Sequence, residues 1–496
     1  MFFFILRRML VAIPILLASS FVMFFLVTIS GDPLADLRIS TNPNRDQLIA
    51  ARRARLNLDQ SFFERYADWL SGIVRGDFGQ NRDGQDVSAL LGDAAITTFR
   101  LVLLATLLSI LLGIIVGIIT AVRQYSIIDY SSTFAAFLFF SLPVFWLAVL
   151  LKEFGAIKFN DFLEAPGLSV TGIIILSVLP AIFAYGLARG DTRRRLVVAG
   201  ITGLAFLVVL VIIDATDWME NPGLSPLAVI LLSLGVGVGA AALFSPLENR
   251  RVLAAGVVTA LVGVVGSFVF RSWIEDPSWS QLIILTFFAL VTGVVVGSAV
   301  GGVVDRRAAV SAGMWSTLGV GIIIVLDQFM SAWSPGRTIA TIGPQTPNLT
   351  GPFWERMIDY AGHQILPSLS LALIGFATFM RFTRSSMLET LKSDYVRTAK
   401  AKGLPGTQVI MRHAFRTALI PVMTVVTISI ATIIEGAVIT ERVFAWKGMG
   451  SLFIEGLTNV DPYPVMGFLL ITSIVIIFMN AVADILYAYL DPRIRR

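Results

Sequence analysis

Cysteine is absent from this chain of 496 residues. Disulfides, thiolate metal ligands and cysteine nucleophiles are thereby excluded. Histidine is scarce too, with only His363 and His413. The order of apolar spans puts them on opposite sides of a membrane, where they cannot share a metal ion. Charge is thin: 14% of residues are Asp, Glu, Lys or Arg, and the formal net charge is +5. A soluble domain of this length needs far more polar surface to cover its core. A nucleic-acid groove needs a concentrated basic face. No G-x-x-x-x-G-K-[ST] is present, so no ATP-binding P-loop is expected in this chain. The glycines from Gly235 to Gly239 lie inside an apolar run, where glycine lets helices approach closely. Asp32 and Asp77 are residue types of turns and caps, and nothing fixes them as an acid–base pair.

What the chain holds in excess is apolar length. Hydrophobic residues make up 56% of it, and mean hydropathy is +0.81. The excess falls in runs of about 20 residues, enough to cross a hydrocarbon core. The first, Met9 to Ile29, follows Arg7 and Arg8. It is too long for a signal-peptide core and no A-x-A site follows, so it reads as an uncleaved span. A polar stretch from Gly31 to Thr98 comes next, with an amphipathic segment at Phe62–Ile73. Spans at Phe99–Val122 and Thr133–Leu151 flank a short Arg-bearing connection.

From Gly167 to Leu326 the composition shifts to Gly, Ala and Val. Six apolar runs succeed one another: Leu168–Leu187, Leu196–Ile213, Pro226–Phe244, Val252–Phe270, Gln281–Val304 and Ala308–Leu326. Arg194-Arg195, Arg250-Arg251 and Arg306-Arg307 mark alternate connections. The other connections are acidic and carry Trp. This is the alternation that the positive-inside rule asks for. The Arg pairs recur at 56 residues, from Arg194 to Arg250 and from Arg250 to Arg306, followed by RRLVVAG, RRVLAAG and RRAAVSAG. The region reads as a repeat of helical hairpins. An even number of spans can be inserted without inverting the orientation of the later ones. Its spans hold almost no charge, so it is expected to be a peripheral module that faces lipid or binds another membrane protein.

A polar segment, Trp333–Tyr360, leads to spans at about Ile365–Met380, Ala418–Ile439 and Val465–Tyr489, and to a basic tail, 491–496. The reading is an all-α integral membrane protein of about twelve spans with both termini cytoplasmic. A six-span core, 1–166 and 335–496, surrounds an inserted six-span bundle, 167–334. Loop 31–98 lies outside and stretch 381–416 inside.

That inner stretch is unusually patterned. Ser393–Lys402 reads as a short amphipathic helix that ends at Gly403, with a turn at Pro405-Gly406. A second helix runs from about Thr407 into the next span. Two short helices meeting at a glycine make a knob suited to a groove on a soluble partner. The competing reading is a basic anchor on anionic lipid. Tyr395, Ala399 and Ala401 interleaved among cations favour docking. Farther on, Glu435 sits within a span, where a carboxylate is costly and is a functional candidate by default. Glu441, Arg442 and Trp446 form a candidate outer gate or a contact for a binding protein. An interfacial aromatic belt is the alternative.

The stretch DYVRTAKAKG at 394–403, followed by RHAFRTALIP at 412–421, resembles the EAA coupling loop of ABC importer permeases, most closely the dipeptide/oligopeptide/nickel branch. Arg397, Thr398 and Ala399 stand where the generic pattern has Glu-Ala-Ala. Further matches fall in order: Gly31-Asp32-Pro33, Gly76-Asp77-Phe78-Gly79, Ser141-Leu142-Pro143, Arg384-Ser385-Ser386-Met387 and Asp461-Pro462-Tyr463-Pro464. They cover about 1–160 and 335–496. The resemblance implies a type I importer permease that is not itself an enzyme and holds no cofactor. A second permease subunit, two ATPase subunits that bind ATP and Mg, and an extracytoplasmic binding protein would complete it. Asp394, Tyr395, Arg397, Thr398, Ala399, Lys400, Ala401, Lys402 and Gly403 would then be the coupling residues. Glu435, Glu441 and Trp446 are the candidates for the substrate pathway. Peptide is the expected cargo, with nickel, glutathione-like peptides or some sugars as alternatives in the branch. A secondary transporter without an ATPase is the rival from another class, and it leaves the coupling loop unexplained.

Overall fold

Twenty-nine apolar and aromatic-rich residues open the chain, and in the computed structural model nearly all of them are helix. The structure describes residues 2–490 except 165, 189, 221 and 334–338. Side chains at 2–9, 407, 424, 427, 428, 430–436 and 483–490 also lie outside the description. The chain divides into two compact units. One is Met1–Ala156 with Thr341–Pro344 and His363–Arg496; the other is Ile157–Ala340 with Gln345–Gly362.

The first unit begins with α1 (Phe2–Ile29) and three short helices of the following polar stretch, α2 (Ala35–Arg38), α3 (Arg45–Arg55) and α4 (Phe62–Val74). The amphipathic segment is α4. A capping box starts it: Ser61 Oγ accepts from the Glu64 N–H and Glu64 Oε2 from the Ser61 N–H. Its apolar face lies on α1, where Phe62 and Tyr66 meet the Phe21 ring edge-on at 5.4 and 5.3 Å. The hydroxyls of Ser20 and Tyr66 are 2.8 Å apart.

Next comes α5 (Val87–Val122), which begins 12 residues before the expected span because Asp86 caps it, accepting from the Ser88 N–H. The expected span at 133–151 is not one straight helix. It is α6 (Ile127–Ser141) and α7 (Val144–Lys152), which continues through a π-helical turn, Glu153–Ile157, into α8 (Lys158–Glu164). The two halves are bent by 107°. The cause is Pro143: Leu142 before it is held extended at ψ 131°, because proline bars the α conformation to its predecessor.

In the second unit the hairpin repeat is present. It comprises α9 (Val170–Leu187) with α10 (Thr192–Ala215), α11 (Pro226–Phe244) with α12 (Arg250–Val269), and, after the short α13 (Arg271–Glu275), α14 (Trp279–Gly301) with α15 (Arg306–Ser331). The first helix of each is capped by a serine, Ser169, Ser225 and Ser278, whose hydroxyl accepts from an N–H of the first turn. The second and third hairpins close in the same way. Gly237 packs on Gly256, and Gly293 on Gly313, with no room for a Cβ on either side. Such contacts suit helices packing in lipid. α11, α12, α14 and α15 form a four-helix group, and α9 and α10 pair chiefly with each other. Ser316 Oγ donates to the buried Gly256 carbonyl at 2.8 Å, joining α15 to α12.

The chain ends with α16 (Phe353–Leu391), α17 (Asp394–Ala401), α18 (Gly406–Gln408), a π-helical turn at Val409–Phe415, α19 (Arg416–Val443), α20 (Met449–Thr458) and α21 (Pro462–Leu490). Ten helices among the described residues are long and apolar enough to span a membrane, besides the bent pair of α6 and α7–α8. The expected span at 418–439 falls on α19, part of whose side chains lie outside the description. The basic tail, 491–496, lies outside it altogether.

Candidate functional site

The patterned stretch forms a small folded knob on the first unit. Asp394 in the first turn of α17 and Lys400 in the last complement the helix dipole. Thr398 Oγ1 donates to the Asp394 carbonyl at 2.8 Å. The helix stops where Gly403 takes φ +74°, a left-handed conformation that glycine adopts without a Cβ penalty. The Gly403 N–H closes the end on the Lys400 carbonyl at 3.0 Å.

One face of α17 is buried. Val396 (0% exposed) and Ala399 pack with Ala121 of α5, Met387 of α16, Val409 and Ala414 of the π-helical turn, and Ala418 of α19. This small core ties the knob to three long helices. The opposite face carries Asp394, Tyr395, Arg397, Thr398, Lys400, Ala401, Lys402 and Gly403, all exposed. Eight of the nine expected coupling residues therefore share the open face, and Ala399 lies in the core beneath. Leu404, Met411 and Arg412 beyond it are exposed as well. The Arg397–Asp394 contact, 3.7 Å long between exposed side chains, contributes little to stability. The cations thus stay available to a partner.

The knob is linked further by an ion pair that the sequence did not single out. Arg384 on α16 makes a fork onto Asp129 near the start of α6: Nε to Oδ1 at 2.8 Å and Nη2 to Oδ2 at 3.0 Å. The Asp129 side chain is 3% exposed. Asp129 Oδ2 also accepts the Tyr125 N–H at 2.9 Å. One turn away on α16, the Arg381 guanidinium lies 4.1 Å from the centre of the Phe140 ring, near the other end of α6. α16 therefore grips α6 at both ends, just before the break at Pro143.

The pathway candidates are placed differently. Glu441 is fully buried at the end of α19. Its Oε2 accepts the Ser451 N–H at 3.0 Å and its Oε1 the Thr98 hydroxyl, whose oxygen takes the Met449 N–H at 2.8 Å. The carboxylate is thus an N-terminal cap for α20 and a tie to α5. Trp446 is 1% exposed, so its ring is interior packing, and its backbone N–H donates to the Glu441 carbonyl at 2.7 Å. Neither side chain faces an open surface of this chain. Glu435 falls on α19, and its side chain lies outside the described residues. His363 is buried on α16, and His413 belongs to the π-helical turn.

With this geometry in view, the chain is similar to known membrane proteins. The family described as binding-protein-dependent transport system inner membrane component matches residues 289–496, and its N-terminal domain matches 1–92. The first match begins inside α14. An oligopeptide transport system permease protein, OppB, of Mycobacterium tuberculosis (strain H37Rv) is 34% identical over 225 residues, 43% of this chain and 68% of that protein. The dipeptide permease DppB of Escherichia coli K12 is 45% identical over 138 residues, 28% of this chain and 41% of its own length. A di/tripeptide permease of Pseudomonas aeruginosa is 42% identical over 185 residues, 35% of this chain and 54% of its own.

Proposed function

Because this chain belongs to the family of binding-protein-dependent transport system inner membrane components, we propose that it is the permease subunit of an ATP-driven importer that passes di- and oligopeptides into the cytoplasm. The open face of α17 over a buried Val396–Ala399 seam carries the reading. A helix held so firmly and left so exposed suits the groove of a partner ATPase. Tyr395 and Leu404 supply apolar contact, and Arg397, Lys400 and Lys402 face acidic groove walls. Both termini and α17 lie on the cytoplasmic side, and an extracytoplasmic binding protein delivers the peptide.

The mechanism follows from connectivity. ATP-driven movement of the partner displaces α17. The core beneath α17 passes the displacement to α5, α16 and α19 as a body. The Arg384–Asp129 pair carries it to α6, and the bend at Leu142-Pro143 lets α7 respond at a different angle. Exposed Phe134, Phe137, Phe145 and Trp146 on this bent pair offer a face to a second, non-identical permease subunit, with the peptide path between the two. The peptide cargo is inferred from the relatives named as peptide permeases.

The test is uptake of a labelled oligopeptide by vesicles that contain this subunit with its second permease, ATPase and binding protein. Wild type takes up peptide only with ATP. Tyr395→Ala combined with Arg397→Glu lowers uptake by about tenfold or more, the size of a lost interface hot spot, with the subunit still inserted. Uptake that ignores ATP, or nickel uptake without peptide uptake, would contradict the reading.

A further inference from the structure

At one end of the four-helix group, α11, α12 and α15 together with α13 line a cavity of about 230 Å³. It is smaller than the roughly 300–1,000 Å³ typical of sites for drug-sized ligands, so it fits a small headgroup and not a peptide. Part of its lining is apolar: Val229 of α11, Phe268 of α12 and Ile324 of α15. Charge of both signs is also present in the lining. Arg271 of α13 is three-quarters exposed, with its Nε held by Glu275 Oε1 at 2.6 Å. Asp327 of α15 uses Oδ1 to accept the Leu224 N–H at 2.7 Å. Among the described residues no hydrogen bond is made by Asp327 Oδ2 or by the side-chain amide of Gln328 beside it.

Two observations fix the cavity's level in a bilayer. It lies where membrane-length helices end, α12 and α15 at their C-termini and α11 at its N-terminus. The segment that forms one wall also carries exposed Trp273 and Trp279, and tryptophan concentrates at the headgroup boundary. A molecule held there meets water and headgroups on one side and acyl chains on the other.

We propose that this cavity binds an amine-bearing, zwitterionic phospholipid, with Arg271 on the phosphate, Asp327 and Gln328 on the ammonium, and Val229, Phe268 and Ile324 against the first acyl segments. A guanidinium suits a phosphate oxygen, and a carboxylate with a free oxygen suits an ammonium donor. A trimethylated amine keeps its charge but has no N–H to give Asp327 or Gln328. An anionic headgroup without an amine leaves Asp327 facing negative charge. The proposal is independent of the transport reading, since it needs only that the hairpins cross a membrane.

The experiment is native mass spectrometry of the full-length subunit, equilibrated with equal amounts of phosphatidylethanolamine, phosphatidylcholine and phosphatidylglycerol. Wild type retains one phosphatidylethanolamine about tenfold over either competitor, the effect of one charge-assisted hydrogen bond. Asp327→Asn, which keeps an oxygen for the Leu224 N–H, abolishes that preference, and Arg271→Gln lowers retention of all three. A photoreactive phosphatidylethanolamine, which needs no variant, labels α11 to α13. Equal retention of the three lipids by wild type, or labelling only elsewhere, would overturn the proposal. So would soluble phosphoethanolamine displacing the lipid at equal concentration, which would assign the site to a water-borne ligand.

Discussion

Asp461 shows how a single residue closes this fold. It is 3% exposed just before α21. Its Oδ2 accepts the N–H of Arg82, 379 positions earlier, at 2.6 Å, and its Oδ1 that of Tyr463 at 3.4 Å. Burial pushes its carboxyl up to about 6, against the pull of these amides and of the Arg82 charge. The folded value lies above the ordinary one of 3.8, so the folded form binds the proton more tightly than the unfolded form. The stability from this group is fully present below about pH 4 and is lost as pH rises through about 6, at most roughly 3 kcal/mol. Hydrogen exchange across residues 79–86 should therefore be slower at pH 5 than at pH 7.5, after correction for intrinsic rates. Asp461→Asn should remove most of that difference. A difference unchanged in the variant would assign it to another group.

The Asp129–Arg384 fork belongs to the scale of elements, because it fastens α6 to α16. Removing one partner leaves the other charge partly buried, which typically costs about 3–5 kcal/mol for a fully buried pair; Arg384 retains 28% side-chain exposure, so about 2–3 kcal/mol is expected. Asp129→Ala and Arg384→Ala should each lower the thermal midpoint of the detergent-solubilised subunit. The double variant should lose much less than the sum, because the two act through one shared ion pair. Additive losses would show that the pair does not couple the helices.

Elements were legible to very different degrees. The amphipathic pattern of 62–73 became α4, and the Arg pairs with their 56-residue spacing became three hairpins, because periodicity and charge are local signals. Ser393, Gly403 and the cations between them marked α17 for the same reason. The bend at Leu142-Pro143 had a local signal, a proline inside an apolar run, which the span reading passed over. No local pattern announces that Asp129 meets Arg384, that Thr98 meets Glu441 or that Asp461 meets the Arg82 amide. These pairs lie 255, 343 and 379 positions apart and arise only when the helices pack. For that reason the cap that Glu441 makes for α20 has no signature in the sequence, which singled the residue out only as a pathway candidate.

At the scale of the whole molecule, two kinds of surface differ in what they suit. The hairpin helices carry apolar side chains outwards; α10 has no buried residue, as suits a helix in lipid. The knob of α17 instead carries cations and a tyrosine outwards over a packed core, as suits a water-soluble protein partner. Membership in a family of binding-protein-dependent transport components supports an assembly with other subunits, and coupling through α17 is the central claim of the proposed function. The most direct measurement is affinity purification of this subunit from gently solubilised membranes, comparing wild type with Gly403→Pro. Proline cannot adopt φ +74° and lacks the N–H given to Lys400, so the end of α17 is deformed while the spans remain. An ATPase that co-purifies with wild type and is lost with the variant is the predicted result. Equal recovery of the ATPase with both, or none with wild type in an otherwise intact complex, would contradict the account.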